Sequence, residues 1–155
     1  MLSKQLDRAT TYADGAKFQT SKYSFRHGMR NGKQSPEEAK KMADEFVRER
    51  FKWARYEFDK GNKEKALFIL GVALHAIQDA TSPSHGGFQE WTGHENNWEK
   101  AGHLGGELFY PGPNSNLYKE TYKFLDLFFS KQELPTGNIF DNIQIDKLNE
   151  ENLGD

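Results

Sequence analysis

Apolar positions recur at helical spacing through almost the whole chain, and no stretch shows the strict alternation of a half-buried strand. Ser35-Pro36-Glu37-Glu38 reads as a helix start: Ser35 caps, proline suits the first turn, and Glu38 completes a capping box. The helix then runs past Phe46, Phe51 and Trp53 to stop at Gly61. A second helix starts near Asn62 and carries the run 66–74, which is apolar nearly all round and therefore central and buried. It ends by Pro83, because the residue before a proline disfavours helical geometry. Further helices are predicted over 95–109, closed by Pro111-Gly112-Pro113, and over 117–129. Lys22 to Met29 looks helical, Asp14-Gly15 looks like a turn, and the rest of the first 30 residues carries no clear signal. After Gln132 the scattered Leu134, Ile139, Phe140, Ile143 and Ile145 predict an irregular tail that wraps the core. The expected fold class is all-α, a compact multi-helix domain spanning 1–155 with a central buried helix.

At 155 residues the chain can bury a real core without disulfides, and it contains no cysteine. Thiolate zinc sites are thereby excluded, and any metal must be held by histidine and carboxylate. The longest apolar run is less than half of what a membrane span needs. The first residues lack a hydrophobic core segment, so no signal peptide is expected. The formal net charge of -2 hides an asymmetry: residues 1–65 hold 16 Lys and Arg against 10 Asp and Glu, and residues 66–155 hold 5 against 13. A basic first half can face phosphate groups of lipid or nucleic acid, or can simply be solvated helix faces.

The chemistry is concentrated in the stretch from His75 to His85. His75 and Asp79 lie four apart on the apolar helix, one turn apart on one face, where an imidazole and a carboxylate can share a zinc ion. A carboxylate on so apolar a helix is costly to bury unless a cation or strong partners compensate it. His103-Leu104-Gly105-Gly106-Glu107 repeats the arrangement, and its two glycines suggest a close approach by backbone or ligand. A single such pair reads more readily as hydrogen-bonded core histidine; two pairs, with His85 between them after a proline, favour metal ligation.

His-x-x-x-Asp-x-x-x-x-x-His followed by His-x-x-x-Glu resembles the ligand pattern of the bacterial zinc-dependent phospholipases C, which share a fold with the fungal single-strand nucleases. The resemblance covers residues 71–107. It implies two neighbouring sites: His75 and Asp79 on a first zinc with an upstream Asp and His, and His85, His103 and Glu107 on a second. His27 is the sole upstream histidine; Asp14 is the preferred upstream carboxylate and Asp7 its competitor. The family's third zinc uses an N-terminal Trp and a further His that have no counterpart here, so two ions are expected. Asp14 and Asp79 are the expected catalytic residues, with Asp14 either binding zinc or taking a proton from the attacking water.

The resemblance implies hydrolysis of phosphodiester bonds, in phospholipid head groups or in single-stranded nucleic acid. Glu107 and the short gap from His85 to His103 lean toward the lipase branch. A zinc-bound binding module without turnover is the third reading. Phe88 and Trp91 are expected either at the site's mouth, against an acyl chain, choline or base, or as core filling under the loop. Gly86-Gly87 admits substrate or makes the turn; His94 is expected outside the ligand set, and Trp53 and Trp98 in the core. Lys22, Arg26 and Arg30 flank His27 and either receive an anionic product or stay solvated. Ser82-Pro83-Ser84-His85-Gly86-Gly87-Phe88 is also similar to C-terminal toxin domains of large bacterial secreted proteins. That likeness implies secretion or delivery into a target cell, with an inhibitory immunity protein as a partner.

Overall fold

The apolar run 66–74 lies at the centre of an all-α fold in the computed structural model, which describes residues 1–83, 85–91 and 114–146. Four α-helices occur among them: α1 (Leu2–Ala13), α2 (Pro36–Asp59), α3 (Lys63–Thr81) and α4 (Asn116–Phe129). Short 3-10 helices cover Ala16–Phe18, Ser21–His27 and Ile139–Asn142. The described residues contain no strand, only an isolated bridge between Arg30 and Glu90. None of their helices is long and apolar enough to cross a membrane.

Local chemistry sets the ends of α2 and α3. Ser35 Oγ accepts from the Glu38 amide at 3.1 Å and Glu38 Oε2 accepts from the Ser35 amide at 2.9 Å, with Pro36 opening the first turn. Gly61 adopts φ +88°, a left-handed conformation that costs glycine little, and this lets the chain reverse into α3. Beyond Thr81 the backbone turns extended at Ser82, as Pro83 requires. Helix α3 is buried on nearly all sides because α1, α2 and α4 each pack on it. Small residues set the closest approach: a Cβ on Gly71 would stand 2.6 Å from Ala9 Cβ of α1.

Phe124 and Phe128 of α4 meet Phe51 of α2 edge to face, each at 6.0 Å between centroids. The tail after α4 is irregular and wraps the core, with Ile139 and Phe140 buried in it. Polar groups of α2 hold this tail. Arg48 donates to the carbonyls of Pro135 and Gly137 at 2.6 and 2.7 Å, and Asp44 accepts from the Ile139 amide at 2.8 Å.

Two expectations change, and for Phe88 an open choice is decided. Helix α1 was not legible as an element, and the helical stretch before His27 is the tighter 3-10 form. Trp53 is 43% exposed instead of core, with its Nε1 near Glu57 at 3.4 Å. Phe88 is core: it is buried against Phe140 at 5.5 Å and held at φ +54°, which is strained for so bulky a residue. The predicted helix over 95–109, with His94, Trp98, His103 and Glu107, lies outside the described residues.

Candidate metal centre

Three segments converge on one end of α3. Helix α1 stops at Ala13, and Asp14 caps it, its amide donating to the Thr10 carbonyl at 2.9 Å. The 3-10 helix Ser21–His27 returns the chain to the same place and ends at Gly28, φ +62°. A Cβ on Gly28 would lie 3.1 Å from Ala80 Cα, so a glycine here lets the backbone press against α3 and deliver His27 to Asp79. His75 and Asp79 occupy one face of α3, one turn apart.

Asp79 Oδ2 is the hub. His27 Nδ1 lies 2.8 Å from it, His75 Nε2 3.1 Å and His85 Nδ1 3.6 Å. Asp14 Oδ1 stands 3.0 Å from His75 Nε2 and 3.9 Å from His27 Nδ1. One donor atom from each of Asp14, His27, His75 and Asp79 falls within 4.8 Å of the others. Ligands about 2.0–2.2 Å from a tetrahedral zinc ion sit roughly 3.3–3.5 Å from each other, so this spacing is close to that of a ligand shell. His75 Nε2 supports the fit: it is buried and forms no well-aligned hydrogen bond to a described residue, although two carboxylate oxygens lie within reach. Two imidazoles and two carboxylates, mostly buried, can therefore hold a metal ion.

Charge explains how the cluster survives burial. Burial by itself drives the Asp79 carboxyl up, but the charges of His75 and His85, with the contacts from His27 and His75, hold it well below the usual carboxylate range. For His75 burial pulls down, and Asp79 and Asp14 outweigh it, raising the ring well above 6.5. The side chain of Asp14 is 39% exposed, against 1% for His27, so the cluster opens to solvent on that side.

No family model matches the chain, and comparison with curated proteins and with solved structures finds no match. The site therefore stands on its own geometry.

His85 follows the Pro83 turn, its amide donating to the Ser82 carbonyl at 3.1 Å. Its Nδ1–H donates to the His27 carbonyl at 2.8 Å, a bond that fixes the orientation of the ring. His85 thus touches the cluster's edge, while its expected co-ligands His103 and Glu107 fall outside the described residues. Asp7, the competitor of Asp14, is exposed two turns earlier on α1 and does not enter the cluster.

One feature escaped the sequence reading, and one of its open choices is decided. Gly28 shapes the approach of His27, and a glycine straight after a helical stretch is its signature. Trp91 is buried with its ring 5.7 Å from that of His27, tilted by 33°. Its loop is pinned there by the Trp91 amide donating to the Arg30 carbonyl at 2.7 Å and the Arg30 amide to Gln89 at 3.0 Å. Trp91 therefore walls the cluster from within.

Proposed function

We propose that this chain is a zinc-dependent phosphodiesterase of phospholipase C type. The supporting observation is the convergence of Asp14, His27, His75 and Asp79 with a solvent opening at Asp14 alone. A zinc ion held by these four residues supplies Lewis-acid polarisation of a phosphoryl oxygen and a lowered pKa for an adjacent water. The chain's own groups do the rest. Asp79, kept ionised by its histidines, and His27, backed by Trp91, hold the buried side. Asp14 is the exposed member, and with one carboxylate oxygen on the ion its other oxygen would orient the attacking water and take its proton. The resemblance to the zinc-dependent phospholipases C assigns His85, His103 and Glu107 to a second ion, and Glu107 with the short gap from His85 to His103 leans toward lipid over nucleic acid.

Four protein donors is also the number that closes a structural zinc site. The exposure of Asp14 favours catalysis, because it leaves a solvent-side position where substrate can enter. The deciding experiment is elemental analysis of protein purified without chelator, followed by parallel assays on phosphatidylcholine and single-stranded DNA. We expect about two zinc ions per chain and release of phosphorylated head group, lost with chelator and regained with zinc. Bound zinc with no turnover of either substrate makes the site structural. Turnover of DNA alone makes the protein a nuclease.

A further inference from the structure

Residues 15–26, which join Asp14 to His27, contain Lys17, Lys22 and Arg26 and no acidic residue. These cations lie on aromatic faces. Lys17 Nζ is 4.7 Å from the Phe18 centroid and Lys22 Nζ 5.2 Å from that of Tyr23. The Arg26 guanidinium covers Phe18 at 4.4 Å, Tyr23 at 4.9 Å and Phe46 of α2 at 4.9 Å. Arg50 continues the series, 4.8 Å from Phe46 and 5.6 Å from Trp53. Shared rings link the four cations into one group, with Lys17 and Lys22 exposed and Arg26 and Arg50 half-buried, and none pairs with a described carboxylate. A ring face positions a cation without neutralising it, so the charge stays available to a partner.

We propose that this surface docks the protein onto an anionic phospholipid bilayer, with Asp14 and the metal centre at its edge. Charge complementarity calls for an anionic partner. The rings decide which one. Single-stranded nucleic acid needs open faces on which bases stack, whereas the faces of Phe18, Tyr23 and Phe46 carry the protein's own cations. The exposed rings stand at the ends of the patch, Tyr12 at 41% and Trp53 at 43%, and amphipathic rings of this kind settle at head-group depth. The inference deepens the lipid reading and takes its substrate from it, but its test reads binding and not turnover.

The test is sedimentation of the full chain with vesicles of phosphatidylcholine alone or mixed with phosphatidylserine, at low and high salt. The wild type is expected to prefer the mixed vesicles and to lose that preference at high salt. Each removed cation should lower partitioning about fivefold, so Lys17→Gln/Lys22→Gln/Arg50→Gln should lower it about a hundredfold with unchanged helical circular dichroism. Lys119→Gln/Lys123→Gln/Lys131→Gln makes the same change in net charge on and just after α4, and should bind like the wild type. Equal binding to both vesicles, or equal losses in the two triple variants, overturns the proposal. So does single-stranded DNA binding that the first variant loses in the absence of any vesicle binding. Hydrolysis of a soluble short-chain phosphatidylcholine by the wild type tests the lipid reading separately.

Discussion

His27 Nδ1 and Asp79 Oδ2 meet at 2.8 Å across 52 residues of sequence, in a place where both side chains are buried. This contact ties the 3-10 segment to α3 and makes Asp79 the shared partner of three histidines. Asp79→Asn keeps the shape and removes the charge. The expected result is loss of bound zinc and a fall in hydrolysis well beyond the about 10–100-fold that follows loss of an outer partner to a ligand. Elemental analysis and turnover measured on the same preparation check it. A variant that keeps both its metal and most of its rate removes Asp79 from the centre.

Proton competition gives the second prediction. His75 has a folded pKa above its ordinary 6.5, so the stabilisation from its protonated form is complete below 6.5 and disappears as pH rises through the folded value. Asp79 has a folded pKa below its ordinary 3.8, so its contribution is complete above 3.8 and disappears as pH falls toward the folded value. The metal-free protein is thus expected to be most stable between those two ordinary values. Zinc must displace the proton from His75, so affinity should climb by up to about tenfold per pH unit beyond the ordinary histidine range. Competition titrations against a chelator of known affinity test this; an affinity that levels off near pH 6.5 contradicts it.

The same reasoning applies at the far end of α3, away from the histidine cluster. The Glu57 carboxylate accepts from Asn62 at 2.7 Å and from Lys65 at 2.9 Å, and these bonds, Asn62 first, lower its pKa to about 2. Its stabilising effect is therefore complete above 4.5 and vanishes as pH falls through about 2. Glu57→Gln should be less stable than the wild type near neutrality and should converge with it in acid. Urea midpoints measured across that range show whether the gap closes; a constant gap refutes the assignment.

How much of this was legible in the sequence depends on what each residue answers to. The capping box at Ser35 and Glu38, the stop at Gly61 and the burial of α3 are local or compositional, and they form as read. Helix α1 is equally periodic, with Leu2, Leu6, Ala9 and Ala13 on one face, but alanines at the contact points mute the apolar signal. Burial of Phe88 depends on Phe140, a partner distant in sequence, while Trp53 lies on the outward face of its helix with Arg50 and Lys65 over its ring. The pair His75 and Asp79 was visible from helical spacing alone. Their meeting with His27 and Asp14 was expected from the family resemblance and not from spacing, because Gly28 and the Ala9–Gly71 contact set it in three dimensions.

That last contact supports a prediction linking packing to the site. Gly71→Ala would place a methyl 2.6 Å from Ala9 Cβ, when carbon atoms prefer about 3.5–4.0 Å. The helices must move apart. Overpacking of this kind costs about 1–3 kcal/mol, against a gain in helix propensity of about 1 kcal/mol, so a net loss of stability is expected. Because α1 ends at Asp14, its displacement carries that carboxylate away from His75 and should also weaken zinc binding. Adding Ala9→Gly moves the methyl from one helix to the other and should restore both properties toward wild type, a coupling that a double-mutant cycle measures directly. Val47→Ala on α2 is the control: it is a destabilising core change on a helix that carries none of the four cluster residues, and its zinc affinity should stay at the wild-type level. Equal loss of zinc affinity in Gly71→Ala and Val47→Ala would mean that the metal senses global stability and not the placement of Asp14.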